Sequence, residues 1–237
     1  MNVFITGTSS GIGNALAREY LEKGAKVYGI SRNFNNNLRK YADYHHLSHD
    51  LANYTTLEEK LKWLLENEKV LDQVILNAGK LPEINDMRDT SLDEIQDVMD
   101  VNVWANKVLI DMLFKLIPDI HQVVAISSGA SLSGARGWNA YAISKAALNM
   151  LIMLYSRELP ETHFSAITPG VVDTGMQDYI FNLTDDGRFQ VVTRLKDLRK
   201  NKQMKEPREA AVHLIEAMGF ALQRENGSYI DIRQLYE

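Results

Sequence analysis

Seven short, mostly apolar runs, spaced by stretches of helical length, constrain this chain more than any other feature of its sequence. The runs are Asn2–Thr6, Lys26–Ile30, Tyr44–Leu47, Gln73–Leu76, Gln122–Ser127, His163–Thr168 and Ser228–Ile232. Most are continuous rather than alternating, as expected of strands buried on both faces. Between them, helical periodicity runs through Gly13–Lys23, Leu57–Glu66, Leu92–Leu116, Trp138–Arg157 and Arg208–Met218, with Pro207 placed to start the last. Strands joined by helix-length crossovers pair in parallel. The pattern therefore predicts an α/β fold, a doubly wound parallel sheet of about seven strands flanked by helices. No repeat or Pro/Gly-rich linker divides the 237 residues, so residues 1–237 read as one domain. The polar, Lys/Arg-rich stretch Asp185–Glu206 reads equally as a solvated surface helix or, with the residues from about 175 onward, as a lid over a substrate.

Composition removes several functions. The chain has no cysteine, which excludes disulfides, thiolate metal sites and a cysteine nucleophile. His45, His46 and His49 lack an accompanying carboxylate arrangement, so no metal site is expected. A net charge of −5 argues against nucleic acid, whose phosphates call for a basic face. No apolar run approaches the ~20 residues that span a bilayer, and no basic segment precedes the first apolar residues. The expectation is a cytoplasmic protein with a small-molecule partner, in which redox chemistry would need an organic cofactor.

The first strand runs into Thr6-Gly7-Thr8-Ser9-Ser10-Gly11-Ile12-Gly13 and then an amphipathic helix. Such a turn aims backbone N–H groups and a helix N-terminus at a pyrophosphate, and glycines at 7, 11 and 13 allow close approach. Gly7, Ser9, Ser10, Gly11, Ile12 and Gly13 are thus candidate dinucleotide contacts. The second strand ends at Ser31-Arg32, where an NAD site usually places a carboxylate on the ribose. Arg32, assisted by Ser31, instead suits a 2′-phosphate, which favours NADPH. Asp50 and Leu51 follow the third strand, where Asp50 could cap the helix after it. Tyr141 and Lys145 lie one helical turn apart on one face. A phenol is a poor acid–base catalyst near neutral pH until a positive charge stabilises its phenolate, which Lys145 would supply. Ser128 follows the fifth strand at the sheet end where open α/β folds bind ligands; Ser127 is the second choice.

The T-G-x-x-x-G-x-G turn, the strand–serine–Tyr-x-x-x-Lys order and the segment Asn77-Ala78-Gly79 together resemble the short-chain dehydrogenase/reductase family. The resemblance implies a Rossmann-type fold and hydride transfer from NADPH to a carbonyl carbon. Tyr141 then protonates the oxygen, Ser128 polarises it, and Lys145 binds ribose and tunes Tyr141. Asp50 and Leu51 resemble the acid–hydrophobic pair that the family places beside the adenine. The resemblance also implies that Asn102 supports a proton relay, that Asn77, Ala78 and Gly79 close over the cofactor, and that Pro169, Gly170, Val172 and Thr174 meet the nicotinamide and pyrophosphate. Gly137–Tyr141, Asp173–Gln177 and Gly227–Asp231 are similar to the sepiapterin reductase and bacterial benzil reductase subgroup. By that similarity Asp231 corresponds to a pterin-anchoring aspartate, although it could equally end a strand. Trp138, Met176, Tyr179 and Phe181 are candidate pocket residues for a hydrophobic dicarbonyl or aromatic ketone. Family members commonly dimerise through the helices bearing Asn102 and Tyr141, so a homodimer, or a homotetramer, is expected. Val108, Leu109, Met112, Leu148, Leu151 and Leu154 serve either core or partner. The alternatives are a 3-oxoacyl thioester reductase, an alcohol dehydrogenase, or a non-catalytic NADP(H) redox sensor.

Overall fold

The computed structural model describes residues 1–184 and 187–235. Its strands are β1 (Asn2–Thr6), β2 (Lys26–Ser31), β3 (Tyr44–Ser48), β4 (Val70–Leu76), β5 (Asp119–Ile126), β6 (His163–Thr168) and β7 (Ser228–Asp231). They form one parallel sheet in the order β3-β2-β1-β4-β5-β6-β7. The seven predicted strands all exist, within a few residues at their ends. The largest shifts are at β4, which starts at Val70 rather than Gln73, and at β5, which starts at Asp119 rather than Gln122. Asp72 breaks the apolar run in the sequence, yet Val70 and Leu71 pair with Asp119 and Ile120, and the Asp72 carboxylate accepts from the Asn2 backbone N–H at 2.6 Å.

The helices are α1 (Gly11–Glu22), α2 (Leu57–Leu64), α3 (Leu92–Met99), α4 (Ala105–Leu116), α5 (Ala130–Ser133), α6 (Asn139–Glu158), α7 (Gly175–Asn182), α8 (Gln190–Lys200) and α9 (Pro207–Ala221). The alternation of Cβ direction along each strand divides the core in two. Phe4, Val74, Val123 and Phe164 face α2, α4 and α6, where Leu61, Leu109, Leu113 and Ile152 cover them. Val3, Ile5, Ile75, Val124 and Ile167 face α1 and α9, packing on Leu16, Tyr20, Leu214 and Met218. Burying each such side chain contributes roughly 1.5–3 kcal/mol. A polar thread crosses the second layer with its donors satisfied: Tyr20 Oη donates to Gln73, Gln73 Nε2 to Gln122 Oε1 at 2.6 Å, and Gln122 Nε2 to the Met218 carbonyl at 2.8 Å.

Two departures bear on function. The helix expected over Leu92–Leu116 is interrupted by a π-helical segment, Asp100–Trp104, that contains Asn102; such insertions re-aim backbone groups and recur at functional sites. In the Lys/Arg-rich stretch, Asp185 and Asp186 lie outside the described residues, but most of the remainder is α8. With α7 and Ile84 it builds a third, separate apolar cluster of Ile84, Ile180, Phe189, Val192 and Leu195. No helix of the described residues is long and apolar enough to cross a membrane.

Candidate active site

The sheet order reverses direction between β1 and β4, and in open α/β sheets the crevice at that point is where ligands bind. Here Thr6 ties the two strand ends together. Its Oγ1 accepts from the backbone N–H groups of Asn77 and Ala78 at 2.9 and 2.8 Å, and its carbonyl accepts from Asn77 Nδ2 at 2.9 Å. A cleft of about 650 Å³ opens above, lined at one end by Gly7, Ser9, Ser10, Gly11 and Ile12 and at the other by Ser128, Trp138, Tyr141 and Lys145.

At the first end the chain meets the needs of a dinucleotide. Gly7 and Gly11 have φ of 76° and 55°, in the left-handed region that glycine adopts without strain. Ser10 caps α1 with no side-chain hydrogen bond, which leaves first-turn N–H groups for an anion. Gly13 is absent from the lining and has a packing role. A Cβ there would lie 2.4 Å from both Gly7 O and Asn77 Nδ2, so it permits α1 to approach β1 and β4. Ser31, Arg32, Asp50 and Leu51 line the cleft beyond β2, and Asn77, Ala78, Gly79, Pro169, Gly170, Val172 and Thr174 line its middle. The Asp50 Oδ1 accepts from Ala52 N at 3.1 Å, a turn-capping contact made while it borders the cleft. The Arg32 guanidinium has no partner among the described residues.

At the other end α6 presents Tyr141 and Lys145, both buried. Lys145 Nζ donates to the Ile126 carbonyl at 2.8 Å and stands 5.8 Å from the Tyr141 ring centroid. Burial lowers the Lys145 ammonium to about 8. Burial pushes the Tyr141 hydroxyl up, and its hydrogen bond with Ser128 pulls it down. Ser127 and Ser128 both border the cleft, but Ser127 Oγ donates to Asn149 Oδ1 at 2.5 Å, so Ser128 is the serine associated with the phenol. Asn102 is fully buried one layer behind the cleft. It donates through Nδ2 to Ser144 Oγ at 2.9 Å and accepts from Lys80 N at 2.7 Å. A Cβ at Gly79 would touch both Asn102 Oδ1 and Lys145 Nζ, at 3.4 and 3.5 Å, so the asparagine and the lysine flank one glycine.

A sequence model described as short chain dehydrogenase matches residues 1–184. The chain belongs to the short-chain dehydrogenase family. Among curated members of the short-chain dehydrogenases, benzil reductase ((S)-benzoin forming) of Bacillus subtilis is 31% identical over 97% of this chain and 97% of its own length. The NADPH-dependent pterin aldehyde reductase of Arabidopsis thaliana is 30% identical over 73% of this chain and 75% of its own. Among solved structures of the fold, the KRED1-Pglu enzyme superposes with a TM-score of 0.84 at 26% identity, covering 96% of this chain and 99% of that one. A short-chain dehydrogenase is an oxidoreductase acting on a small molecule, the enzyme class the sequence predicts.

Within this short-chain dehydrogenase the expected pocket residues divide. Trp138 and Met176 line the cleft, with Trp138 tilted on Tyr141 at 5.6 Å. Tyr179 and Phe181 do not: helical periodicity turns Met176, Gln177 and Ile180 inward and leaves these two on the outer face, where Phe181 lies under the Arg199 guanidinium at 5.2 Å. Asp231 also falls outside the lining. Arg233 engages both its oxygens, Nε with Oδ1 at 2.9 Å and Nη2 with Oδ2 at 2.5 Å, which holds the carboxyl below the usual carboxylate range. Residues of the lining that sequence reasoning missed include Val171, Gln177, Ile180 and Leu195. The spacing of Val192 and Leu195, an i, i+3 apolar pair inside a basic stretch, was the available signal.

Proposed function

We propose that the protein is an NADPH-dependent carbonyl reductase that acts on a hydrophobic ketone or dicarbonyl. The observation that carries the reading is the meeting of Tyr141, Ser128 and Lys145 at one end of a cleft whose other end offers an uncommitted arginine. The residues fit the cofactor by their chemistry. Gly7, Ser9 to Ile12 and the first turn of α1 would hold the pyrophosphate, and Ser31 and Arg32 the 2′-phosphate. Asp50 and Leu51 would flank the adenine, and Val172 and Thr174 would meet the nicotinamide end. When bound, NADPH supplies the hydride.

Tyr141 gives its hydroxyl proton to the carbonyl oxygen as charge develops there, and Ser128 donates a hydrogen bond to the same oxygen. Lys145 contributes positive charge beside the phenolate that remains and a donor for the ribose. Asn102 holds the backbone of Lys80 and the hydroxyl of Ser144 behind that lysine, consistent with a supporting place in proton resupply. The wall formed by Trp138, Val171, Met176, Ile180 and Leu195 is apolar. Asp231 is already neutralised by Arg233, which favours a diketone or aromatic ketone over a pterin. Residues 175–206 supply part of that wall through α7 and α8 and serve as its cover. A second copy of the chain packs on the outer face of α6, where Ile143, Met150, Met153 and Leu154 are exposed, and on Trp104 of the π-helical segment before α4.

The test is loss of reduced-nicotinamide absorbance with NADPH or NADH against benzil, sepiapterin, aromatic ketones and a 3-oxoacyl thioester. NADPH-dependent turnover of benzil is expected. Preference for the thioester, oxidation of alcohols only, or tight NADPH binding without turnover would each replace this reading. In the same assay Tyr141→Phe is expected to lower turnover by about 10²–10⁴-fold with NADPH affinity nearly unchanged.

A further inference from the structure

The histidines of β3 have no part in the chemistry above, yet one of them touches the cofactor-selecting end of the cleft. In the β2–β3 register Gly29 stands opposite His46. A side chain at Gly29 would collide with Tyr44 Oη at 2.5 Å and Thr8 Oγ1 at 2.8 Å. Its absence opens a pocket in which two side chains, Thr8 and His46, reach Ser31, with Tyr44 behind Thr8. Tyr44 Oη donates to Thr8 Oγ1 at 2.8 Å, Thr8 Oγ1 lies 3.4 Å from Ser31 Oγ, and His46 Nε2 lies 2.9 Å from the same oxygen. Phe34 closes the pocket from outside, its ring edge-on to the His46 imidazole at 5.1 Å.

The proton positions follow from counting. Ser31 Oγ donates to the Asn33 carbonyl at 2.9 Å, and a hydroxyl has one proton to give. His46 Nε2 must therefore be the donor to Ser31 Oγ. Burial lowers the His46 imidazole below its ordinary value, so near neutral pH it is a neutral ring whose single N–H is committed to the serine. That bond occupies a lone pair of Ser31 Oγ and leaves its single proton, held by the Asn33 carbonyl, uncommitted to the histidine.

We propose that His46 is a positioning residue for cofactor selectivity: its Nε2–H holds the Ser31 hydroxyl so that the serine proton can turn from the Asn33 carbonyl to a 2′-phosphate oxygen beside Arg32. The proposal rests on the NADPH reading above. It makes 2′-phosphate recognition the work of two side chains that touch the ligand, Arg32 and Ser31, and one that does not.

The test is fluorescence titration of NADPH and NADH against the full chain and the variants His46→Ala, His46→Gln, Ser31→Ala, the Ser31→Ala/His46→Ala double variant and Arg32→Ala. His46→Ala is expected to weaken NADPH about fivefold, the worth of one hydrogen bond, while NADH stays within about twofold and serves as the folding control. His46→Gln, which keeps an N–H donor at similar reach, should return NADPH affinity to within about twofold of the parent. The double variant should be no weaker than Ser31→Ala alone, because the histidine acts through the serine. Equal losses for both cofactors, an unchanged NADPH affinity in His46→Ala, no rescue by glutamine, or additive losses would each overturn the proposal. A parent protein without NADPH preference, indifferent to Arg32→Ala, would instead overturn the NADPH reading and the proposal with it. Preference that Arg32→Ala abolishes and His46→Ala leaves intact removes His46 alone.

Discussion

The Lys145 ammonium sits where a charge is useful to chemistry and costly to folding. It is 4% exposed, has one acceptor among the described residues, the Ile126 carbonyl, and is brought by burial from 10.5 to about 8. Because the folded value is depressed, the unfolded chain binds more protons between pH 8 and 10.5, so stability from this group rises through that window and its penalty is fullest below pH 8. Lys145→Met should therefore raise the unfolding free energy of the cofactor-free protein at pH 7, by ~1–3 kcal/mol after allowing for the orphaned Ile126 carbonyl. The gain should fade toward pH 10.5, and turnover should be lost. Urea unfolding at pH 7 and pH 10 measures both signs; a variant less stable than the parent at pH 7 would contradict the account. Tyr141 and Lys145 were legible in the sequence because four residues of helix fix their common face. The hydrogen bond that assigns Ser127 to Asn149 was not, since those residues belong to different elements and only the packing of α6 against β5 brings them together. The same limit applies to Asp231. Its place at the end of the seventh strand could be read, but its capture by Arg233, two residues on, depends on the short 3₁₀ turn that follows β7.

At the scale of elements, the approach of α1 to the sheet rests on Gly13. Gly13→Ala would press a methyl carbon to 2.4 Å from the Gly7 carbonyl, a backbone atom with little room to retreat. The expected cost is about 2–3 kcal/mol, read as a lower denaturant midpoint, together with weakened binding of either nicotinamide cofactor. A neutral outcome would mean that α1 can shift without disturbing the turn. Strand and helix order was readable because a buried parallel sheet writes itself as apolar runs at regular spacing. The π-helical segment was hidden: Asp100–Trp104 carries the same apolar periodicity as its neighbours, and only the bonds from Asn102 to Lys80 and Ser144 mark it. α8 was obscured for the opposite reason. Its charged outer face dominates the composition, while the inward minority, Val192 and Leu195, closes a cluster with Ile180 of α7 and with Ile84, about a hundred residues earlier.

For the whole molecule, the expected helix pair for self-association holds a mixture. Leu109 and Leu148 are core, Val108, Met112 and Leu151 pack partly against it, and Leu154 with Met150, Met153, Ile143 and Trp104 faces outward. Sedimentation equilibrium should give about twice the 26.9 kDa chain mass. Met150→Glu with Leu154→Glu should halve it, since paired like charges at the centre of an apolar contact oppose association. A parent protein already at the single-chain mass would refute the pairing. The clamp between α1 and α9 has a consequence in time. Arg208 reaches Glu19 and Glu22, and Tyr20 shares its layer with Met218, so one face of the first helix is covered by the last. At a synthesis rate of 5–20 residues per second, roughly 9–37 s separate the two helices as they leave the ribosome. During that interval the flank of α1 that α9 will cover has no native partner, and the first helix is completed only when nearly the whole chain has been made.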